Sequence, residues 1–84
     1  MQKIDPALEA DARANPSALF QIILRIQDNM DAHQAELETE GFVIARRMWL
    51  IQGFAGTAPG TAITLWATYD WIVSIEPDRT VQTM

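Results

Sequence analysis

Residues 18–27 alternate with period two: Phe20, Ile22, Leu24 and Ile26 fall on one face, and Leu19, Gln21, Ile23, Arg25 and Gln27 on the other. This pattern predicts a central strand with one wholly apolar face. Before it, Asp5-Pro6 has the chemistry of a helix start and Asn15-Pro16 that of a stop, so residues 5–14 are expected to be helical. After it, Asp28-Asn29 reads as a turn, and Asp31 with Gln34 reads as a capping box opening a helix over 32–40. Gly41 suits the left-handed position that ends it. The stretch from Phe42 to Ile51 is strand-rich, and Gly53 with Gly56 around Phe54 and Thr57 predicts a turn followed by a second short strand. Pro59-Gly60-Thr61 restarts a helix in which Ala62, Leu65, Trp66 and Tyr69 share one buried face at i, i+3, i+4 and i+7. Asp70 closes it before a strand-forming run at residues 71–75.

The predicted order is β-α-β-β-α-β after a helical leader. It implies an α+β, ferredoxin-like split βαβ fold: an antiparallel sheet of four strands with two helices on one face. The other face is left for solvent or a partner. Ile23, together with either Val43 and Trp49 or Phe42 and Met48, would populate it. Arg46 and Arg47 interrupt both alternations, so the phase of the second strand stays open. The chain divides into a leader at 1–17, a domain at 18–78 and a tail at 79–84.

At 84 residues the chain is a single small domain, able to bury only roughly 60–65% of the surface its unfolded form exposes. The absence of cysteine removes disulfides, thiolate metal sites and cysteine nucleophiles together. A net charge of −5, with Lys3, Arg13, Arg25, Arg46, Arg47 and Arg79 scattered, offers no basic stripe for phosphates. Nucleic acid is therefore not expected as a ligand. No apolar run approaches the ~20 residues of a membrane helix, and residues 1–13 lack the layout of a signal peptide, so no membrane association is expected.

The individual candidates for catalysis are weak. His33, the sole histidine, sits on the inward side of the first main helix with no second base, cysteine or suitably placed serine beside it. Ser17 and Ser74 lie outside any nucleophile-elbow context. Asp28, Asp31, Glu36, Glu38 and Glu40 match no calcium loop and read as a solvated helix face. Trp66 belongs to the helix core, and with the acidic balance this argues against base stacking by Trp49, Trp66 and Trp71. The expectation is a protein without catalytic residues, metal or cofactor.

Four segments in order carry a resemblance: Phe20-Gln21-Ile22-Ile23-Leu24-Arg25-Ile26, Leu37-Glu38-Thr39-Glu40-Gly41-Phe42-Val43, Ile51-Gln52-Gly53-Phe54-Ala55 and Ile72-Val73-Ser74-Ile75-Glu76-Pro77-Asp78. Together they resemble the propeptide-like inhibitor domains of subtilisin-type serine proteases, the inhibitor I9 family, over residues 18–84. The resemblance implies an inhibitor of such a protease, able also to act as its folding chaperone, whose C-terminal tail lies product-like in the active-site cleft. It implies Met84 at the primary specificity pocket, with Thr83, Gln82 and Val81 at the second, third and fourth subsites. It also implies Glu76 and Asp78 against the N-termini of two protease helices, where exposed N–H groups favour carboxylates. The residue types suit these places: unbranched, polarizable Met fills a large apolar pocket, and Val81 suits a hydrophobic subsite. The eight residues from Pro77 to Met84 reach at most ~26–29 Å when extended, enough to enter a cleft. A chain complete at Met84 is expected to act in the cytoplasm as a free-standing inhibitor. A pro-region excised after Met84 is expected to be extracellular. The alternative is a small regulatory module that forms a homodimer through the open sheet face.

Overall fold

The alternation at residues 18–27 produces the central strand β1 (Leu19–Ile26) in a computed structural model that describes residues 3–78. Around it lie α1 (Pro6–Ala14), α2 (Met30–Thr39), β2 (Val43–Met48), a 3-10 turn (Trp49–Ile51), β3 (Gly53–Pro59), α3 (Gly60–Trp66) and β4 (Ile72–Pro77). The strands form one antiparallel sheet in the order β2-β3-β1-β4. The fold is therefore α+β, with the ferredoxin-like split βαβ arrangement preceded by one additional helix. Ile22, Leu24 and Ile26 of β1 join Phe54 and Ala58 of β3 and Ile72 and Ile75 of β4 in one buried cluster with Leu8, Leu37, Ile63 and Trp66 of the helices. The helices thus cover the even-numbered face of β1.

The helix ends follow local chemistry. Asp5 caps α1 by accepting the Leu8 N–H at 3.0 Å, with Pro6 in the first turn. At the end of α2, Gly41 takes φ 112°. The Phe42 N–H reaches the Leu37 carbonyl at 3.0 Å and the Gly41 N–H that of Glu38 at 3.2 Å, the pairing of a Schellman ending. Leu37 and Phe42, which flank that turn, are both buried.

Several expectations give way to the structure, although the helix expected over residues 5–14 forms and packs into the core: Ile4, Leu8 and Ala12 are at most 5% exposed, and Ile4 forms a parallel bridge with Ile75 on the outer edge of β4. The leader's apolar residues at i, i+4 and i+8 form a helical stripe that starts one residue before the cap. The Asp31–Gln34 capping box is absent. Asn29, in the left-handed region at φ 61°, takes the N-cap position without a side-chain hydrogen bond, so α2 starts two residues early. Asp31 pairs instead with Arg47 at 3.0 Å, and Gln34 donates to Glu38 at 3.4 Å. The hairpin turns at residues 49–52, with Gln52 at φ 52°, and both Gly53 and Gly56 lie inside β3. A Cβ on Gly56 would come within 2.3 Å of the Val43 carbonyl oxygen, so this glycine serves close strand approach rather than a turn.

In α3 the buried set is Ala62, Ile63 and Trp66, while Leu65 is half-exposed. The helix stops at Trp66, too short for a stripe running on to Tyr69, which lies in the following turn with its N–H on the Trp66 carbonyl at 3.0 Å. Glu40, expected on sequence to be a solvated acid, is half-buried and accepts from Trp66 Nε1 at 2.8 Å and from the Tyr69 hydroxyl at 2.7 Å. It is drawn inward because both aromatic rings bring a donor that burial would otherwise leave unpaired.

Candidate functional site: the open sheet face and the end of β4

The face of the sheet away from the helices is defined by register. Gln21, Ile23 and Arg25 of β1 stand beside Thr57, Ala55 and Gly53 of β3, and beside Asp78, Glu76 and Ser74 at the β4 edge. On β2 the ladder shifts between Ile44 and Arg46, so that Val43 faces Thr57 and Arg46 faces Ala55. This irregularity settles the phase that the sequence left open. Neither expected pair shares the open face: Val43 and, beyond the shift, Met48 stand there opposite Thr57 and Gly53, while Phe42 is buried on the helix side and Trp49 lies in the 3-10 turn beside Arg47. The residue inserted between the two alternations is the physical reason Arg46 and Arg47 interrupt both of them. Arg47 turns toward the helices, where it pairs with Asp31 and lies 4.2 Å from the centroid of the Trp49 ring.

The resulting surface is mixed rather than wholly apolar. Ile23 is half-buried, while Val43 and Leu19 are exposed, and among them stand Gln21, Arg25, Arg46 and Glu76. A surface of this kind resembles a protein-contact face more than a core.

The two carboxylates singled out on sequence have different environments. Glu76 is exposed on β4 opposite Ile23. Asp78 is 5% exposed, with its N–H on the Gln21 carbonyl at 2.9 Å and its Oδ2 3.5 Å from the guanidinium of Arg46. Since β3 and β1 both lie between β2 and β4, the Arg46 and Asp78 side chains meet over the two central strands. Beneath the pair is a small depression of about 80 Å³ bordered by Ala55 and Gly56. Sequence reasoning did not single out Arg46, although the broken alternation at 46–47 marked the irregularity that turns it onto this face.

Beside Asp78, at the end of the sheet where β1 begins and β4 finishes, a groove of about 560 Å³ runs between α1 and the strand ends. Leu8 and Asp11 line one side, and Phe20, Pro77 and Asp78 the other. The chain leaves the described residues at the rim of this groove. Val81, Gln82, Thr83 and Met84 lie outside them.

His33 stacks on Trp71, with ring centroids 3.7 Å apart and planes 8° from parallel, and its Nδ1 lies 3.8 Å from Glu36. Tyr69 packs on the same indole at 5.3 Å. The imidazole is thus a packed boundary group on the helix side. Among the described residues, no group of three or more His, Cys, Asp or Glu side chains is placed to hold a metal ion, and no helix is long and apolar enough to cross a membrane.

The chain matches no protein-family model, and comparison with curated proteins and with solved structures finds no significant match.

Proposed function

We propose that this chain is a propeptide-like inhibitor of a subtilisin-type serine protease, binding through its open sheet face and the tail after β4. The observation that carries this reading is the end of β4. Ile75-Glu76-Pro77-Asp78 closes an edge strand on the open side of a ferredoxin-like sheet, with Glu76 exposed and six further residues beyond Asp78. In this reading Val81, Gln82, Thr83 and Met84 fill the cleft as a product-like strand. Backbone hydrogen bonds supply affinity and alternate side chains supply specificity. The same contacts would let the domain template the folding of its protease.

Glu76 is available to the N-terminal N–H groups of a partner helix. Asp78 is buried beside Arg46, so for it to cap a second helix the chain end must first bring its carboxylate to the surface. Titration of a purified subtilisin with the intact chain tests the reading: stoichiometric inhibition, relieved by excess peptide substrate, is expected. Full protease activity at saturating chain contradicts it.

The alternative, a regulatory module dimerising through the same face, draws on the exposure of Val43 and Leu19 there. It predicts a concentration-dependent dimer by sedimentation.

A further inference from the structure

We propose that Arg46 is a positioning residue for the C-terminal tail, fixing through Asp78 the point and direction at which the chain leaves the sheet. The inference rests on the reading of the tail as the inhibitory element, but its geometry stands in the free chain. Asp78 comes directly after the last residue of β4, and its N–H continues the ladder to the Gln21 carbonyl at 2.9 Å. One residue earlier, Pro77 has no N–H to give, so among the described residues this bond is the last rung holding the strand end against β1. The Asp78 carboxylate is nine-tenths buried, and the guanidinium of Arg46 stands 3.5 Å from it.

Arg46 comes from the opposite edge of the sheet, so the pair ties the far strand β2 to the chain end across β3 and β1. A long, planar guanidinium has the reach for this, and its positive charge complements the carboxylate. The shift in the β2 ladder between Ile44 and Arg46 aims the side chain at this target. Without the shift, residue 46 would fall on the helix side with Ile44, because alternate residues share a face.

The consequence for binding is entropic. A tail whose first residue is fixed loses less freedom on entering a cleft than one that swings from Ile75, and such preorganisation appears as affinity without any new contact.

Two measurements on the full chain test this. The first is amide hydrogen exchange in the free protein. Arg46→Met keeps the apolar stem and removes the charge. It is expected to speed exchange at the Asp78 N–H about tenfold, as for a pair with one partner buried and the other half-exposed. The Ile75 N–H should be unaffected, and Arg46→Lys should restore part of the protection. Unchanged exchange at Asp78 in Arg46→Met, or equal loss of protection at Asp78 and Ile75, overturns the proposal whatever the protease result.

The second is a cycle of subtilisin inhibition by four chains: intact and ending at Asp78, each with and without Arg46→Met. Arg46→Met should weaken inhibition by the intact chain about tenfold more than it weakens the residual binding of the shortened chain, where Arg46 acts only through its place on the open face, since preorganisation acts only on the residues beyond Asp78. Equal weakening in both lengths means that Arg46 touches the protease itself, and overturns the positioning role. Failure of the intact wild-type chain to inhibit refutes the functional reading instead, and leaves the exchange result to decide what Arg46 does.

Discussion

Glu40 shows how much a single side chain can change its meaning between sequence and structure. On sequence it is one of several acids on an exposed helix; in the fold it accepts hydrogen bonds from Trp66 and Tyr69, which are 26 and 29 residues distant. Nothing local announces a partner so far along the chain, whereas Asp5-Pro6 and Gly41 act on their immediate neighbours and are legible. Glu40→Ala leaves the indole N–H of the fully buried Trp66 without its acceptor and is expected to lower unfolding stability by about 1–3 kcal/mol in urea titrations. The same contact governs the sole tyrosine. Its hydrogen bond to Glu40, then burial and the negative charges of Glu40 and Glu36, push the Tyr69 hydroxyl from 10.0 up to about 12. The neutral phenol is the form the fold favours. Stability linked to Tyr69 is therefore complete below pH 10 and lost as pH rises from 10 toward about 12. Tyrosinate absorbance should titrate higher in the folded chain than in denaturant, and Tyr69→Phe should remove this contribution to alkaline unfolding. If Met84 fills the primary pocket as proposed, Met84→Asp would drive a charge into an apolar site and is expected to weaken protease inhibition on the order of a hundredfold. Inhibition unchanged by that substitution refutes the assigned register.

Among the elements, α1 was legible as a helix from the Asp5-Pro6 start and the Asn15-Pro16 stop, but its place in the core was not. The alternation of β1, the helix ends and the β-α-β-β-α-β order were legible because each depends on residues close together in the chain. The docking of α1 depends on a distant glycine. A Cβ on Gly60, at the start of α3, would lie 2.6 Å from the Ala12 carbonyl oxygen and 2.8 Å from that of Asn15, so α1 and α3 approach closely only because this position lacks a side chain. Gly60→Ala should force the helices apart and cost about 1–3 kcal/mol, measured by thermal or urea unfolding, the range for overpacking at a tight contact. Removing residues 1–16 should cost more. Ile4 and Leu8 each give up about 1.5–3 kcal/mol of burial, and the outer edge of β4 loses its bridge to Ile4. A loss of about 3–6 kcal/mol is comparable to the whole stability of a domain this small. The phase of β2 was illegible for a different reason: an inserted residue is visible in sequence only as a broken alternation, which does not say where the extra residue sits.

The whole molecule divides its two faces. Three helices cover one side of the sheet and satisfy its apolar residues. The other side keeps a mixed surface whose far corner is clasped by Arg46 and Asp78. Such a division suits a domain whose core serves stability and whose open face and chain end serve a partner. The fold was readable from patterning; the clasp was not, because it joins opposite edges of the sheet through a register shift. Whether inhibition resides in the tail, as proposed, is decided by the inhibition constants, against one purified subtilisin, of the intact chain and of a chain ending at Arg79 whose fold is verified by circular dichroism. Tight inhibition by the intact chain is expected, with a loss of at least about a hundredfold on removing residues 80–84, the scale for deleting an apolar anchor together with its strand hydrogen bonds. Equal inhibition by the two chains, or none by either, would contradict the proposal.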